Sequence, residues 1–264
     1  MDVLAEFKAG QRQAWASFIP FEMVTSTTAP RLVAFAGVQS GQRVLDVGCG
    51  TGVVAITAGR RGAQATGLDL TPELLQRARA NAAIGGLDID WHEGDVESLP
   101  FGDGAFDMVL SQFGHMFAPR AEVATREMLR ILRPGGVIAF STWPPELCVG
   151  RLFALIGRHL PPLPAFVSPP PQWGDPTTVR DRLGAAVTDV VFDRAVMRVP
   201  ALSPAHLRMF YEENVGPVLR VVQTLQSEPV RLAAFRREFE EIVGQFFQDN
   251  VVRQDYLMTR ARKV

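Results

Sequence analysis

Residues 44–52 constrain the fold more than any other stretch of this chain. They read Val-Leu-Asp-Val and then Gly48, Cys49, Gly50, Thr51 and Gly52, so a strand-like apolar run enters three glycines spaced two apart. Residues 53–58 continue with a helical, amphipathic pattern. Strand, glycine turn and helix in that order present a helix N-terminus to a nucleotide-like ligand at the edge of a parallel sheet. Glycine permits the turn because, without a Cβ, it takes backbone conformations closed to other residues and lets a ligand approach the chain.

The glycine spacing sorts the ligands. A dinucleotide site uses G-x-G-x-x-G, whereas here the third glycine falls one position early, at Gly52, and Val53 stands where that pattern needs glycine. Asp46 lies inside the strand just before the turn. A carboxylate there suits a ligand with a cationic end and repels a pyrophosphate. The stretch closely resembles the cofactor motif of class I S-adenosylmethionine-dependent methyltransferases, hydrophobic-L-D-hydrophobic-G-x-G-x-G, of the small-molecule superfamily that includes ubiquinone and menaquinone methyltransferases. The resemblance implies an α/β fold with a Rossmann-like, doubly wound, seven-stranded and mostly parallel sheet whose last strand is antiparallel. It also implies S-adenosylmethionine as cofactor and S-adenosylhomocysteine as product.

With 264 residues the chain has room for one large α/β domain with appendages. The layout expected is a single methyltransferase domain over 1–264: a helical cover at 1–40, a cofactor-binding core at 41–143, a proline-rich excursion with a helix at 144–186, and terminal strands at 187–264 with a helical insertion at about 203–248. A net charge of −1 leaves no electrostatic footprint for nucleic acid or an anionic membrane, so the expected partner is a small-molecule methyl acceptor. Cys49 and Cys148 make neither a disulfide framework nor a metal cluster, and His92, His115, His159 and His206 lack ligand spacing. No signal pattern and no apolar run of membrane length is seen, which makes the cytoplasm the expected setting and a monomer or homodimer the expected form.

Downstream segments extend the resemblance. A second strand at 64–68 ends at Asp69, 21 positions after Gly48, where a doubly wound fold places the carboxylate that accepts from ribose hydroxyls. Thr71, Pro72 and Glu73 then open a helix. A third strand at 89–93 leads into Gly94, Asp95, Val96 and, after Glu97 and Ser98, Leu99-Pro100-Phe101. In the family the acidic residue of that phrase accepts from the adenine amine and its apolar neighbour flanks the ring, which assigns Asp95 and Val96. A fourth strand at 106–110 runs into Ser111, Gln112, Phe113, Gly114 and His115. That is the carboxyl edge where open α/β sheets bind ligands, and in resembling enzymes it faces the methionine end and the acceptor. A helix at 121–132 stops at Arg133-Pro134-Gly135-Gly136, and a fifth strand at 137–143 follows.

Beyond residue 143 only the order of elements matches. Residues 144–176 hold nine of the nineteen prolines and read as a loop-rich excursion over the site with a helix at 151–159. A strand at 187–199, broken by a bend, precedes helices from Ser203 and a closing strand at 251–261. Phe235, Phe239, Ile242, Val243 and Phe246 recur at helical spacing and read as a packing stripe. The first forty residues carry helices at 11–16 and 29–37, with Trp15, Phe18 and Phe21 either covering the site or packing the preface onto the domain.

The resemblance assigns Asp46, Gly48, Cys49, Gly50, Thr51, Gly52, Asp69, Leu70, Asp95, Val96, Ser111 and Gln112 to the cofactor. Methyl transfer from a sulfonium is an in-line displacement, so alignment matters more than a side-chain nucleophile. His115 is the one base-like residue beside the expected methyl position, and local packing is its other reading. Trp15, Phe21, His115, Trp143, Trp173, Met209 and Tyr211 are the candidate acceptor lining, which suits an apolar or aromatic metabolite. Two other classes compete: a cofactor-binding module without catalysis, and a nicotinamide-dependent oxidoreductase, which the early third glycine and Asp46 disfavour.

Overall fold

The computed structural model describes residues 2–264. Its strands are β1 (Arg43–Val47), β2 (Gln64–Asp69), β3 (Asp90–Glu93), β4 (Phe106–Gln112), β5 (Leu132–Thr142), β6 (Val187–Pro200), β7 (Phe247–Gln248) and β8 (Val251–Lys263). They form one sheet in the order β3-β2-β1-β4-β5-β8-β6, with β7 paired to β8. β1 to β5 pair in parallel, and β8 runs antiparallel between β5 and β6. The expected seven-stranded, mostly parallel sheet with an antiparallel last strand is therefore present, extended by the two-residue β7.

The helices are α1 (Val3–Trp15), α2 (Glu22–Thr25), α3 (Ala29–Ala36), α4 (Val53–Arg60), α5 (Pro72–Ile84), α6 (Ala121–Ile131), α7 (Cys148–Gly157), α8 (Pro176–Leu183), α9 (Pro204–Asn214), α10 (Gly216–Leu225) and α11 (Pro229–Gly244). Alternation along each strand sends side chains to opposite faces. Val44, Met108, Leu110 and Ala139 join α3 and α4 in one apolar layer. Leu45, Val109, Ile138 and Phe140 join α6 in the other, which runs on into α7 and the helices after β6. Burial on both faces explains why β1 and β4 read as nearly continuous apolar runs.

Many of the prolines do local work as helix starters, where a missing N–H costs nothing. Pro72, Pro176, Pro204 and Pro229 each open a helix; Asp175 accepts from Thr177 and Thr178 N–H, and Ser203 from His206 N–H. Several sequence-based boundaries shift. The first helix begins at Val3, far before residue 11. Thr71 stands at an N-cap position without a side-chain cap bond; the Thr71 N–H is instead taken by Asp69. The bend expected in β6 is a bulge between Thr188 and Val191, with Asp189 at φ 52°. Residues 247–252 form a hairpin that the sequence reading missed, because Asp249 and Asn250 both take left-handed φ values of 51° and 60°.

Two features place a roof over the carboxyl edge of the sheet. The order reverses at β1, flanked by β2 and β4, which leaves a crevice outside those strand ends. Helices α1, α7, α9, α10 and α11, together with the 3₁₀ turn at Ala16–Phe21, pack on one another above it. No helix among the described residues is long and apolar enough to cross a membrane.

Candidate active site

The glycine turn is forced by its backbone. Gly48, Gly50 and Gly52 sit at φ 62°, 56° and 84°, the left-handed region where a Cβ is strained. Two carboxylates fix the turn from below. Asp69, at the end of β2, accepts from Gly50 N–H at 2.7 Å and from Thr71 N–H at 2.9 Å. Asp46 accepts from Ala55 N–H at 3.0 Å, in the first turn of α4, where a negative group also meets the helix dipole. Burial penalises the charged form of both: it raises the Asp69 carboxyl and pushes that of Asp46 up to about 8.

The turn after β3 carries a second acidic cluster. Asp95 accepts from Glu97 N–H at 2.9 Å, and the Lys8 ammonium of α1 donates to both Asp95 and Glu97. Arg120 holds the buried Glu97 from the other side. Nearby, Arg12 pairs with Glu93 at 2.9 Å and the Gln11 amide donates to the Phe117 carbonyl at 2.8 Å. Helix α1 is thus tied across the crevice at residues 8, 11 and 12. Glu22 closes the next gap by pairing with Arg77 and accepting from Asn81, whose amide also donates to the Thr51 carbonyl of the glycine turn.

Of these groups Gly48, Gly50, Asp69, Asp95, Lys8 and Glu22 line one end of a cavity of about 220 Å³. Its other end is an aromatic and aliphatic chamber. Phe113, at φ 61°, stacks on Trp143 with ring centroids 3.9 Å apart. Trp15 packs against Phe117 at 4.5 Å, and Phe21 meets the Tyr211 ring edge-on at 5.4 Å. Leu152, Phe153 and Ile156 of α7 and Met197 of β6 complete the wall. His115 also reaches it: its ring lies 4.5 Å from Phe140 and 4.6 Å from Trp173, and neither ring nitrogen has a partner. Burial and the positive charge of Arg182 push His115 down to about 3, so the imidazole is neutral at any physiological pH.

Comparisons with known proteins bear on the family. The profile of a methyltransferase domain family matches residues 44–136. An uncharacterized protein of Mycobacterium tuberculosis is 36% identical over 243 residues, covering 92% of this chain and 89% of its own length. The demethylmenaquinone methyltransferase of Thermus thermophilus is 38% identical over 117 residues, 44% of this chain and 53% of the relative. The chain belongs to the class I S-adenosylmethionine-dependent methyltransferases. S-adenosylmethionine is accordingly its methyl donor. The YcgJ protein of Bacillus subtilis superposes with a TM-score of 0.61 at 18% identity over 90% of this chain and 98% of that one, a likeness of fold.

In this methyltransferase most of the residues singled out from sequence meet at the cavity. Gly48, Cys49, Gly50, Thr51, Asp69, Leu70, Asp95, Val96 and Gln112 line it, as do Trp15, Phe21, His115, Trp143 and Tyr211. Five do not. Asp46 is buried beneath the turn with its second oxygen unpartnered, acting as the cap of α4. Gly52 faces away: a Cβ there would stand 2.5 Å from the ring of Trp91. The Ser111 hydroxyl is spent inside the fold, donating to the Val47 carbonyl at 2.6 Å and accepting from His115 N–H at 2.9 Å. Trp173 is fully buried behind His115. Met209 is 53% exposed, on the solvent side of α9.

The methyltransferase cavity also has members that the sequence did not disclose. Lys8 and Glu22 come from the cover, where nothing in their spacing points to a ligand. Phe113 follows directly on Gln112 at the strand edge and could have been named from that position alone. Gln254 lies in β8, whose alternation gives a face but not the depth at which that face lands.

Proposed function

We propose that this methyltransferase transfers the methyl group to a small, uncharged, apolar or aromatic metabolite. The observation that supports this reading is the continuity of one cavity from the glycine turn, Asp69 and Asp95 to a chamber walled by Phe21, Phe113, Phe117, Trp143 and Phe153. When bound, S-adenosylmethionine supplies an electrophilic methyl on a sulfonium, so the protein has to align and exclude water rather than provide a nucleophile.

The chain's own groups fit that cofactor. A Cβ on Gly50 would meet nothing within 4 Å, so the turn leaves open space above its backbone. Each oxygen of Asp69 takes one N–H and keeps a lone pair for a ribose hydroxyl. Asp95 keeps the same capacity and would accept from the adenine amine, which Val96 and Leu70 would flank. The tied-down α1 and the aromatic roof keep water from the reacting atoms.

His115 serves in this reading as a neutral wall of the chamber. A group at about 3 is too weakly basic to take a proton from a hydroxyl acceptor, so general-base catalysis is assigned to no side chain here. Two measurements test the proposal. Thermal unfolding with S-adenosylhomocysteine at a hundredfold its dissociation constant should add about 2.7 kcal/mol of stability, and NAD should add none. Labelled S-adenosylmethionine should then pass its methyl to neutral aromatic acceptors in a panel. Binding of S-adenosylhomocysteine with no turnover on any neutral acceptor would favour a binding module instead.

A further inference from the structure

The chamber contains a pair of polar side chains hydrogen-bonded to each other. Tyr211 is carried by α9 and Gln254 by β8, and their side chains meet with the hydroxyl oxygen 2.9 Å from the amide nitrogen. Both residues line the cavity, and Gln254 is fully buried. The tyrosine ring is gripped edge-on by Phe21 at 5.4 Å and Phe239 at 5.6 Å, which aims its hydroxyl at one spot. Gln254 pairs in register with Met197 of β6, another cavity residue, so its side chain shares that face of the sheet.

The pair leaves hydrogen-bonding capacity unspent. With the amide donating to the tyrosine oxygen, the tyrosine proton and Gln254 Oε1 are free, and Oε1 has no partner. With the amide turned over, the tyrosine donates to Oε1 while the amide protons and a tyrosine lone pair are free. Either arrangement presents one donor and one acceptor side by side, which is the complement of a hydroxyl group. A buried polar group left unpaired is costly, so such capacity at the wall of a cavity points to a ligand atom.

Charge narrows the ligand further. Among the described residues Lys8 is the only lysine or arginine lining the cavity, and it is committed to Asp95 and Glu97 at the far end. Arg182 lies behind the wall, its guanidinium stacked 4.5 Å from the ring of Trp173. A carboxylate in the chamber would be buried without a counter-charge.

We propose that Tyr211 and Gln254 form the polar anchor of the acceptor chamber, holding a hydroxyl group of an uncharged acceptor and selecting it over the corresponding carboxylate. The assignment rests on the reading of this chamber as the acceptor site. It also explains why a mostly apolar wall keeps a buried glutamine on β8.

The test uses the full chain loaded with S-adenosylhomocysteine and three probes of one shape: 2-naphthol, naphthalene and 2-naphthoate. The anchor predicts that 2-naphthol binds about tenfold more tightly than naphthalene, and that 2-naphthoate binds more weakly than either. Tyr211→Phe and Gln254→Met, which keep ring and volume, should each reduce 2-naphthol to the affinity of naphthalene while S-adenosylhomocysteine binds as before. The proposal is overturned if 2-naphthol gains nothing over naphthalene, if both variants keep the gain, or if the carboxylate binds as well as the naphthol. Failure of the wild-type chain to bind S-adenosylhomocysteine at all, read before any probe is added, would instead remove the functional reading beneath it.

Discussion

Gly48 and Gly114 meet backbone to backbone under the cavity: a Cβ on Gly114 would stand 2.4 Å from the carbonyl oxygen of Gly48, and one on Gly48 would stand 2.9 Å from the Cα of Gly114. The first follows β1 and the second follows β4, so this contact sets how closely the cofactor turn and the acceptor edge approach each other. Gly114 itself has an ordinary helical backbone, φ −88° and ψ −56°. What requires glycine there is space, while Gly48 at φ 62° is required twice over.

Gly114→Ala should therefore push the two turns apart. The expected cost is about 1–3 kcal/mol of stability, as for other overpacked sites, with weaker binding of S-adenosylhomocysteine. Denaturant midpoints and calorimetry measure the two effects. A variant with wild-type midpoint and affinity would show that the contact yields freely.

Asp69→Ala removes the carboxylate proposed to accept from the ribose, together with its tie to Gly50 and Thr71. Affinity for S-adenosylhomocysteine should fall by about 1–3 kcal/mol, the loss of charge-assisted hydrogen bonds. Calorimetry on folded variant, checked by its unfolding curve, is the measurement. An unchanged dissociation constant would take Asp69 off the cofactor.

His115 makes a pH prediction. Its folded value, about 3, lies below the ordinary 6.5, so between those limits the unfolded chain binds the extra proton. Its contribution is fully present above about 6.5 and is lost as pH falls toward 3, at about 1.4 kcal/mol per pH unit. Asp46, pushed up to about 8, works in the opposite sense, losing stability as pH rises from about 4 to about 8. Comparing wild type with His115→Phe cancels that background. The variant should show the shallower loss on acidification, and turnover should carry no ionisation near 6.5 that disappears with the histidine.

Lys8→Met should loosen the cover. Lys8 spans Asp95 and Glu97, and without it α1 keeps the Arg12–Glu93 pair, which is about half exposed, and the Gln11–Phe117 bond. A partly buried pair of this kind contributes about 1 kcal/mol, so release of S-adenosylhomocysteine should quicken about fivefold. Stopped-flow displacement measures the rate. Release as slow as in wild type would mean that the Lys8 pairs do not hold α1 over the cavity.

Some of this protein is local and could be read along the chain. The three glycines, Asp69 and Asp95 follow strand ends at fixed spacings, because parallel strands place their carboxyl ends at one edge whatever the loops do. The packing stripe of α11 was legible for the same reason: Phe235, Phe239, Ile242 and Val243 repeat with the helix and are buried. Five of the site candidates do not line the cavity. Spacing placed Asp46, Gly52 and Ser111 near the ligand, but Asp46 turns to the Ala55 N–H, Trp91 fills the space beside Gly52, and Ser111 donates to the Val47 carbonyl.

Sequence alone determined the parallel strands, the glycine turn and, through the motif it resembles, the cofactor class, since each strand and turn rests on residues a few positions apart whose backbone preferences are intrinsic. Tertiary structure alone decided the closeness of Gly48 to Gly114, the latch from Lys8 to Asp95, and the meeting of Tyr211 with Gln254, 43 positions on. Those contacts join segments with no shared periodicity. They exist because the covering helices must bury their apolar faces on the sheet edge, and where that burial brings two polar atoms together is set by packing in three dimensions.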